Sequence, residues 1–188
     1  MKKLWIAVVK LFGWKFDLPS ADRQQEMDRC VIIMVPHTSA YDYFVGAACV
    51  WMLGNNSRIF IKKEYFNWFT RPFLNAFGGI AVDRGNRNNG LVEQAVHLFD
   101  TNEKFSFVIT PEGTRKAVKC WKRGFYEIAV KAQVPIVLSY VDYKTKHMGI
   151  GPTFWPTGDF NADMPKIMEF YRNSHPKHPE GYNTNFYA

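Results

Sequence analysis

The sequence predicts a single α/β domain in which helices flank a mixed, largely parallel sheet. Residues 31–35 (VIIMV) and 135–141 (PIVLSYV) are continuous apolar runs. Such runs, short and without alternation, suit strands buried on both faces. Longer segments with helical spacing separate them, and strand and helix signals alternate along the chain with no repeat, low-complexity tract or linker. That alternation is the signature of strand–helix–strand units. At 188 residues the chain has the length of one domain, 1–188, with enough material for a sizeable core.

The opening segment, 1–16 (MKKLWIAVVKLFGWKF), has helical spacing. Leu4, Val8 and Leu11, with Trp5 and Phe12 beside them, make one apolar face. Lys2, Lys3, Lys10 and Lys15 remain for anionic headgroups. The segment reads as an interfacial amphipathic helix or as a helix packed on its own domain. Lys10 interrupts its apolar run and no small-residue cleavage site follows, so a signal peptide is not expected. No segment reaches the roughly 18 to 20 apolar residues of a bilayer span.

Further strands are expected at 58–61 (RIFI), 79–82 (GIAV), 105–110 (FSFVIT) and, late in the chain, at 148–151 and 153–157. Helices are expected at 41–53, stopped by Gly54, and at 88–100, 123–132 and 164–172. Residues 64–77 are aromatic-rich and read as helical with a break near Pro72. Residues 174–188 form a polar tail rich in Asn, His and Pro.

Composition narrows the partners. Hydrophobic residues reach 47%, which excludes a disordered chain. A net charge of +7 favours an anionic partner, and 16% aromatics favour flat apolar surfaces or a membrane interface. No nucleic-acid reader motif is present, so nucleic acid is not an expected partner. Cys30, Cys49 and Cys120 have neither disulfide nor zinc spacing. Cys30 and Cys49 read as buried thiols in a reducing compartment.

In open α/β sheets, ligands sit beyond the carboxyl ends of the strands. Three motifs fall there. The first is 36–42 (PHTSAYD). On one continuous helix His37 and Asp42 would diverge by about 140°. They meet only if His37 lies in a turn and Asp42 in the first helical turn. Ser39 with Asp42 three residues on supports that start, as a capping box. A carboxylate on one imidazole nitrogen makes the other a general base. The same residues also make an ordinary helix cap. The second motif is 78–85 (GGIAVDRG), where Arg84 presents a fork to phosphate or simply closes a charged turn. The third is 110–115 (TPEGTR). Gly113 permits positive φ, Thr114 and backbone N–H groups can donate to an anion, Arg115 adds charge, and Glu112 can accept hydrogen bonds. It also reads as a plain turn. Lys116, Lys119, Lys122 and Arg123 follow around Trp121, as a phosphate-binding patch or a solvated face.

Together these residues resemble the glycerolipid acyltransferases, the 1-acylglycerol-3-phosphate O-acyltransferases and their relatives. The matching blocks are His37 to Asp42, Gly79 to Arg84, Pro111-Glu112-Gly113-Thr114-Arg115, and Val134-Pro135-Ile136-Val137, in the family's order and spacing. The segment 62–66 (KKEYF) also looks like the family's, which brings in Lys63. Pro36, Ala81 and Thr110 depart from the commoner Asn, Phe and Phe.

The resemblance implies a glycerol-phosphate acyltransferase-like fold and an O-acyltransferase. The donor would be acyl-CoA or acyl carrier protein, as co-substrate rather than cofactor. The acceptor would be a lysophospholipid such as 1-acylglycerol-3-phosphate, or a lyso-amino-acid lipid. His37 and Asp42 would be catalytic. Lys63, Arg84, Glu112, Gly113, Thr114 and Arg115 would bind substrate, and no metal is implied. Such an enzyme is expected in the cytoplasm, peripheral on the inner face of the cell membrane, against an anionic surface. A catalytically silent membrane-binding module is the rival from another class. A thioesterase, with water as acceptor, is a third reading.

Overall fold

The apolar run at 31–35 becomes the middle of β2 (Arg29–Val35) and stands near the centre of the sheet. The structure is a computed structural model and describes residues 2–54, 57–82 and 90–183. Among these, the other strands are β1 (Lys15–Asp17), β3 (Ser57–Lys62), β4 (Gly79–Val82), β5 (Phe105–Ile109), β6 (Ile136–Asp142) and β7 (His147–Phe154). The helices are α1 (Lys2–Leu11), α2 (Tyr41–Leu53), α3 (Arg71–Ala76), α4 (Leu91–Thr101), α5 (Gly124–Ala132) and α6 (Phe160–Tyr171).

The strands form one sheet in the order β1-β7-β6-β2-β5-β3-β4. From β6 to β4 every pair is parallel. The direction reverses at β7, which pairs antiparallel with β6, and β1, parallel to β7, runs in the same reversed sense. The sheet is therefore mixed and largely parallel, as predicted.

Alternate residues of β2 explain why it reads as continuous apolar sequence. Val31, Ile33 and Val35 pack with Ala95 and Phe99 of α4, Phe125 and Ala129 of α5, and Ile167 of α6. Ile32 and Met34 pack with Val9 of α1 and Val45, Ala48 and Cys49 of α2. Helices cover both faces, so both sets of side chains leave water. Burial pushes the Cys30 and Cys49 thiols up to about 12, which suits inert core residues.

Some elements differ from expectation. The two late strands are one, β7, running straight through Pro152. The aromatic segment is not a broken helix. A single 3-10 turn at Lys63–Tyr65 precedes a short α3, and Pro72 sits in the first turn of α3 instead of breaking it. Helix α6 starts earlier than expected because the Asp159 carboxylate accepts the N–H groups of Asn161 and Ala162 at 3.0 and 3.1 Å. In α1, Val9 is buried while Trp5 and Ile6 pack partly against the core; Leu4, Leu11 and, just after the helix, Phe12 are exposed. Residues 174–183 lie across the molecule. The His178 N–H donates to Thr38 Oγ1 at 3.2 Å, and a Cβ on Gly181 would stand 2.8 Å from the Arg115 carbonyl oxygen.

Candidate active site

The parallel register brings the ends of three strands together. Ile33 of β2 pairs with Ile109 of β5 on one side and Leu138 of β6 on the other. The turns after β2 and β5 therefore leave the sheet side by side, and they carry the His37–Asp42 and Thr110–Arg115 motifs.

His37 lies in the turn before α2, and Asp42 in the first turn of that helix. The chain folds back so that His37 Nδ1 stands 3.1 Å from Asp42 Oδ2. The same oxygen accepts the N–H groups of Thr38 and Ser39, at 2.9 and 2.8 Å. One carboxylate thus shapes the turn and orients the ring. The hydrogen bonds of the expected Ser39–Asp42 cap are present, with the helix boundary one residue later. The residue before α2 is Ala40, and Ser39 Oγ accepts from the Tyr41 N–H at 3.2 Å. A carboxylate only accepts, so Nδ1 carries a hydrogen, and in the neutral ring the lone pair is then on Nε2.

The other oxygen of Asp42 accepts the hydroxyl of Tyr143 at 2.5 Å. Tyr143 follows β6, and Trp14 packs edge-on against its ring at 5.0 Å. Burial, and next the bond to Asp42, push its phenol far above the ordinary range. Nothing local in the sequence marks Tyr143, which is 101 residues from its partner.

The structure places Glu112, expected to bind substrate, beneath the His37 turn. It is buried, and both its oxygens accept the main-chain N–H of His37, at 3.0 and 3.1 Å. Burial raises its carboxyl to about 8; the hydrogen bond from His37 opposes that shift, and the negative charge of Asp42 adds to it. The next residue, Gly113, has φ +66, which closes the turn with a hydrogen bond from its N–H to the Thr110 carbonyl at 3.0 Å. The Lys122 stem lies across it, and a Cβ on Gly113 would come within 2.8 Å of Lys122 Cε.

Beside these turns lies a cavity of about 680 Å³ between α2, strands β2, β3 and β5, and the aromatic segment around α3. His37, Gly113, Thr114 and Arg115 line it in company with apolar residues such as Met34, Val50, Leu74 and Phe77. The His37 imidazole, the turn at Gly113, Thr114 and Arg115, and an apolar chamber thus share one space. Lys62 lines it, whereas Lys63 is exposed in the following turn. Arg84 lies outside the described residues. Tyr43 also lines the cavity, and its buried hydroxyl has no hydrogen-bond partner among the described residues. Among the described residues no cluster of three or more His, Cys, Asp or Glu is placed to hold a metal ion.

Residues 18–140 match the acyltransferase family. The chain belongs to the acyltransferase family. The fold of this acyltransferase is similar to the crystal structure of the 1-acyl-sn-glycerophosphate (LPA) acyltransferase, PlsC, from Thermotoga maritima. The TM-score is 0.62 at 16% sequence identity, over 90% of this chain and 74% of that one. No curated protein sequence matches the acyltransferase. No helix among its described residues is long and apolar enough to cross a membrane.

Proposed function

We propose that this acyltransferase moves a fatty acyl group from acyl-CoA or acyl carrier protein to the free hydroxyl of a lysophospholipid such as 1-acylglycerol-3-phosphate. The observation that carries this reading is the His37–Asp42 pair opening onto an apolar cavity of about 680 Å³. The acyl chain occupies the cavity. Thr114, Arg115 and the backbone around Gly113 receive the acceptor's anionic headgroup at its rim, with Arg84 and Lys63 as further candidates.

His37 Nε2 takes the proton of the acceptor hydroxyl as its oxygen attacks the thioester carbonyl. Asp42 holds the ring and stabilises the imidazolium that forms. The tetrahedral intermediate collapses with cleavage of the carbon–sulfur bond. The imidazolium then returns the proton to the leaving thiolate. Products are the acyl ester and the free thiol, and His37 is again neutral. The acceptor is itself the nucleophile, so no side-chain nucleophile is needed.

Work on a lipid acceptor places the enzyme at an anionic membrane surface, peripheral on the cytoplasmic face. The exposed Leu4 and Leu11 of α1, and Phe12 just after it, support such contact.

The test is a product assay with labelled acyl-CoA and acyl carrier protein. Lysophosphatidic acid and a lyso-amino-acid lipid serve as acceptors, with His37→Ala as control. A diacyl product from the wild type alone supports the reading and names the acceptor. Free fatty acid without lipid product would make the protein a thioesterase instead. Equal product from His37→Ala would remove the base.

A further inference from the structure

The segment between β3 and α3 carries its large side chains outward. Trp68 is 89% exposed, Phe69 63% and Phe73 54%. Their rings touch in series, at 5.9 Å between Trp68 and Phe69 and 6.0 Å between Phe69 and Phe73. The turn that presents them is well made. Asn67 Oδ1 accepts the N–H groups of Phe69 and Thr70, at 3.0 and 2.9 Å. Single exposed apolar residues are ordinary, but a contiguous aromatic ridge marks an interaction surface.

Two observations identify what covers it. Exposed Lys62, Lys63 and Arg71, against the one exposed carboxylate of Glu64, flank the ridge on a chain of net charge +7, which favours an anionic partner. The same cations disfavour a second copy of this chain. The ridge also runs into the cavity, because Phe73 belongs to both and the exposed Tyr65 lines the cavity beside it. An anionic surface whose apolar interior continues into an apolar cavity is a lipid bilayer. Trp and Tyr settle at such interfaces, where one part of the ring is wet and the other dry. The neighbouring α1 fits the same orientation: its Trp5 ring lies 5.6 Å from Phe44 and 6.5 Å from Phe77.

We infer that residues 65–73 insert into the interface of an anionic bilayer and form the portal through which lipid chains pass into the cavity. The docking surface stands on exposure and charge. The portal rests also on the proposed acyl-binding role of the cavity.

Trp68 and Phe69 do not line the cavity, so Trp68→Ser with Phe69→Ser separates docking from chemistry. The double variant should bind vesicles of phosphatidylcholine and phosphatidylglycerol at least about tenfold more weakly. Its acyl transfer to a lysophospholipid held in those vesicles should fall in step. Its rate on a short-chain, water-soluble lysophospholipid should match the wild type. Arg71→Glu should weaken binding to the anionic vesicles and leave binding to pure phosphatidylcholine unchanged. Undiminished vesicle binding by the double variant would overturn the inference. So would an equal loss of rate on the soluble acceptor, which would make these residues part of the reaction site. Vesicle binding is read without acyl transfer, so an inactive wild type that still needs Trp68 and Phe69 to bind would sink the proposed reaction and keep the docking surface.

Discussion

The main-chain N–H of His37 donates to both carboxyl oxygens of Glu112, at 3.0 and 3.1 Å, across 75 residues of sequence. This contact ties the turn after β2 to the turn after β5. Glu112→Ala removes the acceptor and leaves a sheltered N–H without a partner. A loss of about 1–3 kcal/mol is expected, together with a large fall in kcat as His37 moves. Glu112→Gln keeps one acceptor oxygen and should lose less of both. Thermal unfolding and initial rates check this; equal behaviour of the two variants would deny the contact its role.

Glu112 also gives stability a pH dependence. Burial lifts its carboxyl from the ordinary 4.5 to about 8. Between those values the unfolded chain has lost the proton and the folded protein keeps it. Folding is therefore favoured at low pH, and the contribution is lost as pH rises from about 4.5 through about 8. Urea unfolding of the wild type should show a downward slope over that window, and Glu112→Gln a flatter one. Parallel curves would mean that Glu112 is ionised throughout.

Tyr143 supports the proposed base, His37, through Asp42. Tyr143→Phe removes the hydroxyl from Asp42 Oδ1 and keeps the ring against Trp14. Hydrogen bonds to a carboxylate are among the stronger ones, so kcat should fall on the order of tenfold. KM should not change, because Tyr143 is not in the cavity lining. A rise in KM with unchanged kcat would give Tyr143 a binding role instead.

Tyr43 presents the opposite case. Its hydroxyl is buried beside the cavity without a partner among the described residues, and burial raises it to about 12. Tyr43→Phe removes an unsatisfied group, so the unfolding midpoint should hold or rise. If the substrate supplies the missing partner, KM rises several-fold. The two readouts together separate a substrate contact from a purely structural hydroxyl.

Gly46 sits in the cavity lining on α2, and a Cβ there would stand 2.8 Å from Met34 Sδ. The thioether is flexible and can give way, so Gly46→Val should fold while narrowing the chamber. Its preferred acyl chain should be shorter than that of the wild type, read from products with donors of graded length. An unchanged preference would place the acyl chain elsewhere.

Much of the fold was legible because its signals are local. The runs at 31–35 and 105–110, the helix at 41–53 and the Gly54 stop all depend on residues within a few positions of one another. Boundaries failed where a tertiary contact decided them. Pro72, read as a break, sits in the first turn of α3. Two expected strands merged because β7 pairs along its length with β6. The polar stretch 174–183 gave no periodic signal, yet it packs over Thr38 and Arg115.

The sequence by itself determined the α/β class, the order of the motifs, and that His37 and Asp42 meet only across a turn. Those properties come from periodicity and short-range geometry. Only the tertiary structure decided what each motif touches. Glu112 was brought under the main-chain N–H of His37, Tyr143 joined Asp42, and the aromatic ridge turned outward. Each of these depends on strand order and register, which place residues 75 or 101 positions apart within hydrogen-bond reach. Sheet order is set by how the whole chain buries its apolar faces, and no short window of sequence carries that information.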